Sequence, residues 1–439
     1  MHGGVFKPAL PRRAHKTNRM LKDKTHTASD LLTGYFGVKV LDLAHILAQW
    51  SEQPDKLTCT YFSPPHKAVA AQLRDWMQAA GLVAEIDAIG NATGRYASSR
   101  AGAKALIVGS HYDTVADAGR FDGRLGILTG LVVAEYLHRI GARLPFHLDV
   151  IGFAEEEGVR FSEPYLGSAA VAGRFDERIL QRSDADGVTL ASLLQHDGVD
   201  LAAIRALARR PETLRGYIEI HIEQGPVLLH RGVPVGIVSA IVGTGRFQVA
   251  IHGAAGHAGT VPMALRRDAA AAAAEIVLAV EQRCAKGSTL VGTVGQLVVP
   301  GGAINVIPGT CQFSIDIRAG DDATRDAAVA DVLVAIEQIA ESRGVKAEII
   351  EIGRHGAVRC APPMQSAIAA AVSRAGIEPF HLASGAGHDA AMFAGVTDIG
   401  MLFVRCGNGG ISHSPLETVT ESDVDLAARI LLDVLLNLD

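Results

Sequence analysis

Four short stretches of this chain gather side chains that can bind cations or move protons. In the first, His111 and Asp113 precede Asp122, which follows eleven residues after His111. An imidazole and a carboxylate so placed can share a divalent metal. Asp113 can take the second ring N–H of His111 and fix its tautomer. Asp122 also suits a helix N-cap, which needs no metal. The second stretch is Glu155, Glu156 and Glu157. Three adjacent carboxylates beside a buried strand repel one another, and a metal relieves that cost. One carboxylate can then ligate while its neighbour serves as base; a solvated acidic turn is the other reading. The third stretch holds Glu219, His221 and Gln224, and the fourth holds His413 between Gly410 and Pro415. A lone histidine is commonly structural, but four such stretches together are hard to place by chance. Imidazole and carboxylate without thiolate suit Zn²⁺, or Mn²⁺ where oxygen ligands are many.

The elements that must carry these groups read as alternating strands and helices. Residues 105–108 form a buried apolar run stopped by Gly109 and Ser110. Residues 124–140 read as a helix whose small residues, Gly126 and Gly130, let its start lie close to a sheet. Residues 146–154, 216–222 and 401–404 read as further strands, and each chemical stretch falls at a strand end. Open α/β sheets place their ligands there. From 243 to 354 the rhythm changes to strand 246–252, helix 268–284, strands 289–299 and 312–318, helix 322–342 and strand 346–352. That β-α-β-β-α-β order is ferredoxin-like and suggests a domain inserted into the first. The expected division is a disordered basic tail at 1–27, a first domain of 28–242 and 355–439, and a second of 243–354. No repeat of solenoid length is apparent.

Composition narrows the class. The 439 residues are 48% hydrophobic and 20% charged, enough to bury large cores and incompatible with intrinsic disorder. The formal charge of −6 and the 5% aromatic content argue against nucleic acid or an anionic membrane as partner. The five cysteines are widely spaced with no CxxC, which argues against a disulfide framework and fits a reducing cytoplasm. There is no apolar run of about 18 residues, so no membrane span is expected. The first 26 residues carry seven Lys and Arg against Asp23 and lack the apolar stretch of a secretory signal. A frayed tail, a transit peptide and a true start at Met20 all remain open. The glycine pairs Gly243/Gly245 and Gly407/Gly409 lack phosphate-loop spacing and serve as bends.

Read together, GSHYDTV with DGRLG, FAEEEG, HIEQGPVL, HAGTVPM, NVIPG, SGAGHDA and GISHSP, in this order, resemble the metal-dependent amidohydrolases. That group includes allantoate amidohydrolase, N-carbamoyl-L-amino acid hydrolase and β-ureidopropionase, within the dinuclear aminoacylase and carboxypeptidase superfamily. The resemblance runs from about Gly37 to the C-terminus; HIEQGPVL and SGAGHDA point to its ureido-cleaving branch. It implies an α/β catalytic domain, built on an open mixed sheet with helices on both faces, and an inserted lid that also dimerises. It implies two divalent metal ions bridged by Asp122, one held by His111 and His221, the other by Glu157 and His413. It implies Glu156 as general base and Gln224, His257, Asn305, Arg318 and His388 as substrate contacts, with Asp113 behind His111. His257 and Asn305 would reach the active site of the partner in a homodimer. The activity implied is hydrolysis of a ureido bond in a small carboxylate, with allantoate first and N-carbamoyl-L-amino acids second. An aminoacylase or dipeptidase, and a non-catalytic binding protein that kept the fold, are the competing readings.

Overall fold

A computed structural model describes residues 34–287 and 289–438. The basic tail expected at 1–27 lies outside the described residues. The chain begins with helices α1 (Tyr35–Leu47) and α2 (Pro64–Ala79), then strands β1 (Val83–Ile86), β2 (Ala92–Tyr96) and β3 (Ala105–His111). Helix α3 (Arg124–Arg139), strand β4 (His147–Phe153), three short helices α4 (Leu166–Val171), α5 (Leu190–His196) and α6 (Leu201–Arg205), and strand β5 (Leu214–Ile222) follow. Next come α7 (Val227–Arg231), β6 (Val235–Ile241), β7 (Gly243–His252), β8 (Gly256–His257), α8 (Ala269–Cys284), β9 (Leu290–Thr293) and β10 (Leu297–Val298). Then β11 (Val306–Ile307), β12 (Thr310–Ala319), α9 (Asp322–Ser342), β13 (Lys346–His355) and β14 (Val358–Arg359). The chain closes with α10 (Pro362–Arg374), β15 (His381–Ser384), α11 (Ala390–Phe393), β16 (Ile399–Val404) and α12 (Glu421–Asn437).

The first sheet is mixed, in the order β1-β2-β4-β3-β5-β16-β6-β14, with β15 also paired to β6. Its centre, β4-β3-β5-β16, is parallel. Parallel strands buried on both faces need apolar side chains on both sides. Along β3, Leu106 and Val108 enter one core and Ile107 enters another. The small residues of α3 do what their spacing predicts: a Cβ on Gly126 would stand 2.1 Å from the Ile220 carbonyl oxygen. Because the four central strands are parallel, their C-terminal ends share one edge, and the chemical stretches gather there.

The second sheet is antiparallel, in the order β10-β12-β7-β13, with β9 on the other part of β12. Helices α8 and α9 close its core, with Ala272, Ala273, Ile276 and Val332 packed on Val249, Phe313 and Ile315. Asp268 caps α8 by accepting from the N–H groups of Ala270 and Ala271. Two expectations are corrected here. The strand predicted over 289–299 is two short strands, β9 and β10, on opposite parts of β12. Gly295 lies between them, and glycine weakens a strand interior. The buried run predicted to stop at residue 108 continues through Gly109 and Ser110 to His111, which pairs with Phe153. Ladder pairing with β4 through Ile151, Gly152 and Phe153 outweighs the local turn preference of Gly-Ser.

Candidate functional site

Asp122 stands at the centre of the shared edge, 3% exposed, just before α3. Its Oδ1 lies 3.6 Å from Nε2 of His111 and 3.2 Å from Nε2 of His221. Its Oδ2 lies 3.3 Å from Nε2 of His413, which is 3.5 Å from Glu157 Oε1. Each oxygen of one carboxylate thus faces its own set of donors. Asp122 is no N-cap: that position belongs to Gly123, and no side chain caps α3. Gly123 has φ +66°, and a Cβ there would meet the His111 ring at 2.5 Å, so only glycine lets this turn close over the imidazole.

The backbone aims these groups. Nδ1 of His221 lies on the Ile222 carbonyl at 2.9 Å, which turns Nε2 toward Asp122. Nδ1 of His111 faces both the carbonyl and the carboxylate of Asp113, at 3.2 and 3.3 Å. The two Asp113 oxygens also accept from the N–H groups of Glu156 and Glu157, each at 3.1 Å. One carboxylate therefore orients His111 and the acidic loop together. Gln224, at φ +54°, donates from Nε2 to Asp122 Oδ2 at 2.9 Å. His413 also has φ +54°. Left-handed backbone at two non-glycine residues is strain that the surrounding packing holds in place.

Burial and close opposite charges set the electrostatics of the cluster. Burial opposes charge on His111, but Asp113 and Asp122 outweigh it and hold the imidazole well above its ordinary range. Burial likewise opposes charge on Asp122, but His111, His221 and His413 outweigh it and hold the carboxyl well below its ordinary range. The Asp122 carboxylate, seconded by Glu157, pushes His413 up to about 9. Burial, opposed by His111 and reinforced by Asp122, pushes the Glu157 carboxyl up to about 7. Burial holds Glu156 well above the carboxylate range, against the pull of His111 and with the push of Glu157. Glu155 turns away: it is fully buried, and burial with the Asp113 charge raises its carboxyl strongly.

Four groups can hold a cation: His111, Asp122 and His221; Asp122, Glu157 and His413; His111, Glu156 and Glu157; and Glu219, His221 and His388. The first two share Asp122. Ligands at about 2.0–2.1 Å around a tetrahedral ion lie about 3.4 Å apart. The contacts of 3.2–3.6 Å within those two groups match that spacing. Among the described residues Asp122 Oδ1 is buried with no hydrogen-bond partner, and nitrogen and oxygen donors without sulfur suit Zn²⁺ or Mn²⁺. The residues present fit two cations.

The expected substrate residues divide. Gln224, Arg318 and His413 line one cavity of about 860 Å³ between the two sheets. Arg318 already donates through Nε and Nη2 to Asp316 and through Nη1 to the Gly385 carbonyl. Two of its five N–H bonds remain uncommitted among the described residues. His388 lies behind His221, ring centroids 4.5 Å apart, with Nε2 on Ser384 Oγ at 2.7 Å. Burial and the neighbouring His221 hold it well below its ordinary range. His257, on β8, and Asn305, in the turn before β11, are exposed neighbours, the Ala258 N–H donating to the Asn305 carbonyl at 3.0 Å. Among the described residues no hydrogen bond or ion pair joins either to the cluster. The motif reading gave Glu219 and Ser412 no separate role and missed Glu417. Glu219 accepts from Ser110, Tyr217 and the Ala390 N–H. The alternation of Tyr217, Glu219 and His221 along β5 held the signal for it.

Comparison with known proteins identifies the family. Residues 107–437 match the model of Peptidase family M20/M25/M40. Allantoate deiminase 2 of Glycine max is 39% identical over 423 residues, covering 89% of this chain and 87% of that protein. N-carbamoyl-L-amino acid amidohydrolase of Geobacillus stearothermophilus is 38% identical over 386 residues, covering 88% of this chain and 94% of that protein. A solved amidase of the hydantoinase/carbamoylase family from Burkholderia multivorans superposes with a TM-score of 0.85 at 32% identity, covering 91% of this chain and 97% of that one. The two-sided Asp122 cluster and the family match over most of the sequence lead to one conclusion: the chain belongs to peptidase family M20/M25/M40.

Proposed function

We propose that the protein hydrolyses a ureido C–N bond in a small carboxylate, allantoate foremost, releasing ammonia and carbon dioxide. N-carbamoyl-L-amino acids are the second substrate class. Relatives bearing those activities in their names support the reading. The observation that carries it is the Asp122 carboxylate, whose two oxygens face separate donor sets.

The roles follow from position. His111 and His221 are assigned to one cation, Glu157 and His413 to the other, with Asp122 between them. Two divalent cations, Zn²⁺ or Mn²⁺, supply Lewis-acid activation of water and of the ureido carbonyl when bound. Glu156, buried beside His111 with Nε2 to Oε2 at 4.0 Å, takes a proton from the attacking water and passes it to the departing nitrogen. The carbonyl carbon gains the water oxygen, the C–N bond breaks, and the carbamate released falls apart to ammonia and carbon dioxide. Asp113 keeps Glu156 and Glu157 in register through their backbone N–H groups. Arg318, at the cavity wall, grips the substrate carboxylate with its uncommitted N–H bonds. Gln224 orients substrate from the same wall, and His388 acts from behind His221.

Residues 243–354 form, in this reading, a ferredoxin-like lid inserted between 28–242 and 355–439. The β7, α8, β9/β10, β12, α9, β13 sequence and the sheet order support it. The lid dimerises, and His257 and Asn305 complete the partner's site. Five free, buried cysteines support a reducing, cytoplasmic setting. No described helix is long and apolar enough to cross a membrane. The decisive experiment measures ammonia release from allantoate and from N-carbamoyl-L-amino acids, and free amine from N-acyl amino acids, with Mn²⁺ or Zn²⁺ supplied. Turnover confined to the N-acyl compounds would overturn the proposal.

A further inference from the structure

We propose that Glu417 is a positioning residue that straps the two halves of the metal centre together. The inference rests on the reading that Asp122 and His413 hold cations. Glu417 lies four residues beyond His413 and is 3% exposed. Its Oε1 accepts from the backbone N–H groups of Phe121 and Asp122, at 2.8 and 3.2 Å. Its Oε2 lies 3.2 Å from Ser412 Oγ, and Ser412 Oγ lies 2.8 Å from Asp122 Oδ2. A serine hydroxyl has one proton to donate, and the shorter contact directs it to Asp122. One buried side chain therefore holds the bridging aspartate by its backbone, while the Ser412 hydroxyl packed against it holds the aspartate's carboxylate.

Glu417 lies on the segment that presents His413, and its side chain ties that segment to the backbone of Phe121 and Asp122. The Glu417 N–H donates to the Ser414 carbonyl at 3.1 Å, and Asn408 Nδ2 holds the Leu416 carbonyl at 2.9 Å. Room for the strap is built in: a Cβ on Gly119 would stand 2.3 Å from the Glu417 carboxyl carbon. The two half-sites differ in how much they need it. His111 and His221 belong to central strands paired on both sides. His413 lies on a loop, its side chain 48% exposed, and the ring contacts Asp122, Glu157 and Gln224 of the cluster. Loss of the strap should therefore loosen the His413 half-site and spare the strand-borne one.

The test strips the full-length protein of metal and titrates it with Mn²⁺, reading the number of ions bound and the affinity of each by electron paramagnetic resonance. Wild type should take two ions. Glu417→Ala should bind one ion normally and the other about 10–100-fold more weakly. Glu417→Gln retains an acceptor for both N–H groups and should recover most of that loss. Ser412→Ala should weaken the same ion by a smaller factor. Two ions of wild-type affinity in Glu417→Ala would overturn the proposal, as would a Gln variant no better than Ala. If Glu417→Ala does not fold, unchanged binding of both ions by Ser412→Ala overturns it. A wild type that takes fewer than two ions would overturn the metal-centre reading itself, and the strap with it.

Discussion

Asp122 and His257 came from motifs of equal clarity, yet the fold treats them differently. Asp122 is buried at the meeting of four parallel strand ends, with three imidazoles and two side-chain donors on its carboxylate. His257 sits on a two-residue strand, exposed, with its Nδ1 accepting from the Gly259 N–H. The first region is a rigid cage whose geometry one chain completes. The second is a two-stranded ribbon, two residues to each strand, set apart from both larger sheets. In the proposed reading, chemistry that depends on ligand spacing falls where the backbone is most constrained, and substrate recognition by His257 falls on an exposed ribbon.

Experiments can break that contrast, and the largest effect should come at its centre. Asp122→Asn should lose tight binding of both ions and turnover with them, because each carboxylate oxygen faces a different donor set. Metal analysis after dialysis checks this, and two ions retained would refute the bridging role. Glu156→Gln should keep the metal but lose about 10²–10⁴-fold in kcat. An unchanged kcat would remove Glu156 as the base.

The ribbon is tested by mixing. Inactive Glu156→Gln and His257→Ala subunits, combined at random, should recover roughly a quarter of wild-type activity, since each mixed dimer holds one intact site. Mixed dimers without activity would place His257 outside the partner's chemistry. Arg318→Ala should raise KM for carboxylate substrates about 10–100-fold, as expected for a lost charged hydrogen bond, with a smaller change in kcat. An equal loss with a carboxylate-free analogue would return Arg318 to its strand role beside Asp316.

The smallest effect is in pH. His413 and Glu157, raised to about 9 and about 7, must shed protons before they can ligate. Mn²⁺ affinity should therefore rise from pH 6 to 9, with proton release on binding. In the metal-free protein both folded values lie above their unfolded ones. Their stabilising contribution is complete below about pH 4.5 for Glu157 and about pH 6.5 for His413. It is lost as pH rises through about 7 and about 9, so the metal-free protein should melt lower at pH 9.5 than at pH 6. A metal-free melting temperature that does not fall over that range would count against this electrostatic account.

Much of the first sheet was legible because its central strands are continuous apolar runs and α3 carries its glycines on the face that meets the sheet. The candidate metal residues were legible because His111 and His221 close such runs, and Asp122, Glu157 and His413 lie on the loops that follow them. His388 was legible as a motif residue but not as a neighbour of His221, which depends on α11 packing beneath β5. Glu417 was not legible, because a glutamate beyond a proline in a loop looks like any solvated residue until Gly119 is seen to make room for it. The break between β9 and β10 was missed because both fragments carry strand-forming residues and differ only in which part of β12 they pair with.

Local order along the chain determined which residue types could do chemistry, and at which strand ends, because side-chain periodicity and donor identity are written residue by residue. Only the tertiary structure decided that Asp122 would offer one oxygen to each donor set, that Arg318 would share its guanidinium with Asp316, and that one buried glutamate would brace the cage. Those outcomes turn on distances of about 3 Å between residues up to about 300 positions apart, which only packing can set.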